Sequence, residues 1–411
     1  MFREKKLANG LEIIAEINPN AYSAAFGFFV KTGSRDETPE IAGVSHFLEH
    51  MVFKGTPKRS AADVNRELDE IGSHSNAYTS EEQTVYYATV LQEYQDHAID
   101  LLADIMRPSL RQEDFDTEKK VIIEEIYKYD DQPPFGAHEK CMAKFYGDHA
   151  LGYSVLGSVE SVTGLTPEAM RDYFQQRYSP GNITLVGCGQ VDFDRMIAQA
   201  EELCGHWQAF DAPRDIRRPA VHHEFELIHK PTATQEYVVQ ICDGPEATDP
   251  DRFANRVLAA IIGDDSGSRF YWEFIDSGLA EYAGLGPYEF QGAGITMTFL
   301  SCAPQDTDAN LQRLVDVIRK VETDGVTQDE LDLALSKITS QLVRQSERPS
   351  NRLFSVGNGW LQRHNHVTVK ERLESYRAVT LADVHRVLEK FPLSQNTTVV
   401  VGPLEQAQRP S

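Results

Sequence analysis

Two stretches about half a chain apart carry the same pattern. Thr166-Pro167-Glu168-Ala169-Met170 opens a helical run that leads to Asn182-Ile183-Thr184-Leu185-Val186-Gly187; over the same interval, Thr380-Leu381-Ala382-Asp383-Val384 leads to Asn396-Thr397-Thr398-Val399-Val400-Val401-Gly402. Each threonine stands where a helix N-cap belongs, and each closing run is apolar and β-branched, as a buried strand should be. A repeat offset by half of 411 residues is what a duplicated α+β domain requires. Residues 210–219, with Pro213, Pro219 and several charges, separate the ordered patterns, so the domains are expected at 1–212 and 213–411.

The chemistry is concentrated in His46-Phe47-Leu48-Glu49-His50. On a helix these two imidazoles and the carboxylate share one face. The neighbours Val44, Met51, Val52 and Phe53 are apolar and can hold that turn against a core. Imidazoles one turn apart can both reach a single Zn²⁺, and a carboxylate beside them can activate a water without being a ligand. The order His-x-x-Glu-His inverts the commoner His-Glu-x-x-His and is the inverzincin arrangement.

Catalytic zinc usually takes three protein ligands. Residues 117–126 read as a second helix, with Val121, Ile122 and Ile126 as its apolar face. Glu118 and Glu125 lie one heptad apart on it, and Glu124 is a rival donor. A His-x-x-Glu-His helix followed by a helix with two glutamates at this spacing resembles the pitrilysin, insulinase and mitochondrial processing peptidase family. The resemblance implies that His46, His50 and Glu125 bind Zn²⁺, that Glu118 orients a ligand histidine from behind, and that Glu49 moves the proton. It extends to residues 72–88, where Asn76-Ala77 matches the strand beside which the family's peptide substrate lies, and to residues 146–157. An extended peptide can add to an exposed strand edge through main-chain hydrogen bonds. Ala77 is small enough for close approach, and Asn76 can hydrogen-bond a substrate amide. The implied fold is two homologous α+β domains, each a mostly antiparallel sheet covered by helices, facing each other across a chamber.

One departure stands out. Family members that act alone or as homodimers carry a C-terminal arginine seven residues before a tyrosine. Here Tyr282 follows Ser268-Arg269-Phe270-Tyr271, but Ile275 stands seven residues before it, and Phe274 one residue earlier. Some relatives divide zinc and the arginine-tyrosine pair between two chains. The resemblance therefore implies a dimer, and the missing arginine favours a heterodimer with a related subunit carrying that pair; a homodimer using Arg269 is the other possibility.

Composition narrows the rest. A net charge of −23, from 40 basic and 63 acidic residues, excludes a basic nucleic-acid footprint. Five scattered cysteines, none in Cys-x-x-Cys, argue against a disulfide framework and a zinc ribbon, and suit a reducing compartment. The N-terminus has no apolar signal region and no run is long enough to span a membrane, so the cytoplasm is the expected location. The expected activity is a zinc endopeptidase cleaving extended oligopeptides or unfolded segments. The alternative is a non-catalytic subunit of the same family that binds peptides or scaffolds an assembly.

Overall fold

The computed structural model describes residues 1–410. They form two compact units. The first comprises residues 1–127, 153–215 and 345–367; the second comprises 128–152, 216–344 and the chain from 368 onward.

The first unit is built on a six-stranded sheet in the order Phe2–Lys6, Glu12–Ile17, Ile183–Gly189, Ser23–Val30, Thr84–Leu91, His74–Thr79. Only the Glu12–Ile17 and Ile183–Gly189 pair is parallel. The second unit has five strands in the order Phe225–His229, Asn396–Gly402, Glu236–Asp243, Ala293–Cys302, Tyr282–Phe290, again with a single parallel pair, between the first two. Without its extra edge strand Phe2–Lys6, the first sheet has the topology of the second. Thr166 and Thr380 cap their helices as the repeat predicts, accepting hydrogen bonds from the amides of Ala169 and Asp383. The fold is α+β with two mostly antiparallel sheets.

Burial on both faces explains why the central strands read as nearly unbroken apolar runs. In Ser23–Val30, Ala24, Phe26, Phe28 and Val30 enter a large core with Val44, Phe47, Leu48 and Ile99, while Ala25 and Phe29 face a second, smaller core. That smaller core is closed by Leu353, Val356 and Trp360 of helix Pro349–Arg363, from the C-terminal half of the chain. Reciprocally, Cys141, Met142 and Phe145 of helix Ala137–Tyr146 pack on Val239, Ile241, Met297 and Val399 of the second unit. The main passage between units lies between Asp215 and Ile216, but each unit takes one helical segment from the other half of the chain. Contiguous domains of 1–212 and 213–411 do not contain this exchange.

Helix Pro349–Arg363 approaches its sheet through Gly357, where an added Cβ would sit 2.4 Å from the ring of fully buried Phe29. Alanine would improve helix propensity by about 0.8–1.0 kcal/mol, but overpacking against an immobile ring costs about 1–3 kcal/mol. Gly357→Ala is therefore expected to be net destabilising, by about 1 kcal/mol or more. Denaturant titration monitored by fluorescence checks this, and an increase in stability would contradict it.

Candidate metal centre

Helix Val44–Val52 begins at Gly43, whose φ of 92° and backbone packing leave no room for a side chain: a Cβ there would lie 2.5 Å from the Leu156 carbonyl. The helix N-terminus is satisfied by a residue earlier in the chain. The Glu37 carboxylate accepts hydrogen bonds from the amides of Gly43 at 2.6 Å and Ser45 at 2.7 Å. Burial pushes its pKa up to about 7, against the pull of those amides. The Tyr173 hydroxyl bridges Ser45 Oγ at 2.7 Å and Thr32 Oγ1 at 2.8 Å, tying the first turn to the segment that follows strand Ser23–Val30. Along the buried face, Phe47 stacks on Phe115 of helix Gln112–Asp131 with ring centroids 4.6 Å apart.

This pairing of helices brings the sequence candidates together. His46 Nε2 lies 3.8 Å and His50 Nε2 3.6 Å from Glu125 Oε2. These three side chains form a group of possible metal donors whose ligand atoms all lie within 4.8 Å of one another. A tetrahedral ion with bonds of about 2.0–2.1 Å holds its ligand atoms roughly 3.3–3.4 Å apart, so small side-chain adjustments suffice. Two imidazoles and a carboxylate are also a donor set that suits zinc. Burial, and then the neighbouring His50, push the His46 pKa down to about 3. A neutral imidazole with a free lone pair is the form that binds metal.

Behind the histidines, His50 Nδ1 lies 3.0 Å from Glu118 Oε1, which orients its Nε2 towards Glu125. The other Glu118 oxygen is 2.6 Å from Lys54 Nζ. Burial alone would raise the Glu118 pKa, but Lys54 and His50 outweigh it and keep the carboxyl below its usual range. Glu49 is held differently. Burial raises its pKa, while a 2.6 Å hydrogen bond from Thr79 Oγ1 and the nearby His50 oppose that rise.

Other sequence expectations need refinement. Val121 does not belong to the apolar face of its helix: it is 46% exposed, while Phe115, Glu118, Ile122 and Ile126 are buried. A face recurring every three or four residues passes through 115, 118, 122 and 126, which excludes 121. Glu124 is exposed, whereas the Glu125 carboxylate meets the histidines. Asn76 and Ala77 lie on strand His74–Thr79 at the edge of the first sheet, Asn76 exposed and Ala77 buried. Tyr282 starts the edge strand of the second unit and is exposed. Phe274 is fully buried in the second unit's core, and Arg269 is engaged in a two-pronged ion pair with Glu330 at 2.7 and 3.0 Å and a hydrogen bond to the Gly325 carbonyl.

Sequence reasoning overlooked Glu37, Lys54 and Thr79. Lys54 and Thr79 stand within or beside the quoted motifs, but their partners are distant in the chain, so no spacing rule finds them. Glu37 could have been suspected as a carboxylate shortly before a helix whose N-terminus has a glycine and no capping side chain.

Comparison with known proteins agrees with this architecture. Residues 12–159 match the family described as Insulinase (Peptidase family M16), and residues 164–338 match the one described as Peptidase M16 inactive domain. A protein of Streptomyces coelicolor described as an uncharacterized zinc protease is 32% identical, over 99% of this chain and 90% of its own length. The Bacillus subtilis protein described as uncharacterized zinc protease YmxG is 29% identical, over 98% of each chain. Among solved structures, a protease from Helicobacter pylori superposes with a TM-score of 0.91 at 21% identity, covering 98% of this chain and 99% of that one. The chain belongs to the insulinase family of peptidases, peptidase family M16.

Proposed function

We propose that this protein is a zinc endopeptidase that cleaves extended oligopeptides or unfolded segments. The observation that carries the reading is the convergence of His46, His50 and Glu125, with Glu49 beside them on the same helical turn. A Zn²⁺ ion held by those three side chains supplies Lewis acidity, polarising a scissile carbonyl and making water a better nucleophile at neutral pH. Glu49 takes the proton from the attacking water and returns it to the leaving amine, a role suited to a half-buried carboxylate with a raised pKa. Glu118 fixes the ring of His50, and Lys54 keeps Glu118 ionised so that it can do so. The free edge of strand His74–Thr79 offers main-chain hydrogen bonds to an extended substrate, with Asn76 and Ala77 at the contact.

Measuring zinc per chain together with cleavage of a mixed, internally quenched oligopeptide library tests the proposal. About one zinc per chain with cleavage supports it. Zinc without cleavage, in the presence of any required partner, favours the non-catalytic peptide-binding alternative. If Glu118 orients His50, Glu118→Gln should weaken zinc affinity by roughly 10–100-fold with the fold intact. A chelator-competition titration reads this directly, and unchanged affinity would remove Glu118 from the site.

We further infer that the chain works as a dimer, with a related subunit supplying the missing arginine. The support is that Arg269, the candidate substitute, is already committed to Glu330 and Gly325, and that Phe274 is core. Arg269→Ala should therefore cost about 1–2 kcal/mol of stability through lost charge-assisted hydrogen bonds, while leaving kcat/KM within about threefold below the melting transition. Full activity from the purified chain alone, abolished in folded Arg269→Ala, would instead establish a homodimer using Arg269. The five cysteines are all free and buried, which suits a reducing compartment, and we place the protein in the cytoplasm. No helix among the described residues is long and apolar enough to cross a membrane.

A further inference from the structure

Thr79 ends the edge strand, and its Oγ1 lies 2.6 Å from Glu49 Oε2. Directly across the ladder, Thr84 begins the next strand, with its own Oγ1 3.4 Å from that of Thr79. Thr84 is fully buried and donates its proton to the Thr32 carbonyl at 3.0 Å. A hydroxyl has one proton and two lone pairs. Because the Thr84 proton is committed to Thr32, Thr84 presents a lone pair to Thr79. The Thr79 proton therefore has two acceptors, a carboxylate at 2.6 Å and a hydroxyl at 3.4 Å.

While Glu49 is ionised, the charge-assisted bond is the stronger, and Thr79 donates to it. Once Glu49 has gained a proton from water, its O–H can donate to Thr79 Oγ1, and the Thr79 proton can turn to the waiting lone pair of Thr84. No heavy atom need move, and Glu49 keeps a partner in both states. A fixed donor such as a backbone N–H or a lysine would hold the carboxylate equally well but would have no lone pair for the protonated acid.

We propose that Thr79 is a positioning residue for the reaction: it holds the Glu49 carboxyl in place as that group accepts and returns a proton, with Thr84 as the acceptor behind it. This rests on the reading of Glu49 as the proton carrier.

The test uses the full chain, with any required partner, and the best-cleaved member of an internally quenched oligopeptide library. Thr79→Val is expected to retain zinc affinity within about threefold and an unchanged KM, while kcat falls by roughly 10–100-fold, the scale on which small misplacements of reacting groups are felt. Thr79→Ser, which keeps the hydroxyl, should recover kcat to within about threefold of wild type. In crystals of the metal-free proteins, the Glu49 carboxyl should be displaced in Thr79→Val and unmoved in Thr79→Ser. Added to Glu49→Gln, Thr79→Val should cost little more, because both changes act on one function. Wild-type kcat in Thr79→Val, failure of the serine to recover activity, or an undiminished loss in the Glu49→Gln background would each overturn the proposal. If Glu49→Gln alone turns over like wild type, the proton-carrier reading has failed, and the role of Thr79 falls with it; that outcome is visible before any Thr79 variant is assayed.

Discussion

Glu49→Gln should keep its zinc and lose turnover by on the order of 10²-fold or more. The amide has nearly the volume of the carboxyl, and its oxygen can still accept the Thr79 hydrogen bond, so the helix and the two histidines should stay where they are. It cannot take a proton. Stability should move in the opposite direction from activity. Burial raises the Glu49 pKa in the metal-free protein. A raised acid contributes stability that is fully present below its unfolded pKa and is lost as pH rises through its folded value, so ionised Glu49 is a burden at neutral pH. Glutamine removes that burden, and the metal-free variant should melt no lower than wild type at pH 7. Zinc content by atomic spectroscopy, melting by calorimetry and turnover of the quenched peptide together separate a chemical loss from a folding defect. Wild-type-like turnover with normal zinc would remove Glu49 from the mechanism.

The parts of the fold legible in the sequence were those with short periods. The N-cap threonines 166 and 380 and the strands starting at Ile183 and Asn396 follow from local pattern, and the duplication they signal reappears as one strand order shared by two sheets. The heptad spacing of Glu118 and Glu125 put both on one helical face, and they meet the histidines one on each side of His50. What stayed hidden was the choice of partner among equivalent surfaces. Helices Ala137–Tyr146 and Pro349–Arg363 carry ordinary apolar faces, and nothing in such a face says that each will cover a sheet formed mainly by the other half of the chain. The clue was in the strands: Phe28 and Phe29 are adjacent and both fully buried, so the sheet needs cover on two faces, one more than the helices of a contiguous half supply.

The same limit applies at the site. Ligand candidates could be found because metal chemistry fixes residue type and spacing together. Thr79, Lys54 and Glu37 have no such signature, since hydroxyls, lysines and glutamates are common and their work here depends on partners 30 or more residues away or on an uncapped helix end. Arg269 illustrates the converse. Sequence offers it as a spare cation near Tyr282, but its Nε and Nη2 are drawn into Glu330 and Gly325, and a guanidinium held in a fork has little freedom to bind elsewhere.

Glu125→Gln and Glu124→Gln should separate completely, although the residues are neighbours. On a helix, consecutive side chains point about 100° apart, and here one reaches the histidines while the other faces solvent. Replacing Glu125 removes the only carboxylate among the three donors, leaving two neutral imidazoles, so the chain should lose most of its zinc and essentially all peptidase activity. His46→Ala and His50→Ala should behave alike. Glu124→Gln should retain zinc affinity and kcat/KM within about threefold, because an exposed side chain with no ligand role contributes little. The contrast controls for charge, since both substitutions remove one negative charge from the same turn. Chelator-competition titrations and peptide cleavage measured in parallel decide it; a costly Glu124→Gln with a neutral Glu125→Gln would mean that the helix is rotated in the metal-bound protein and that the third ligand is Glu124.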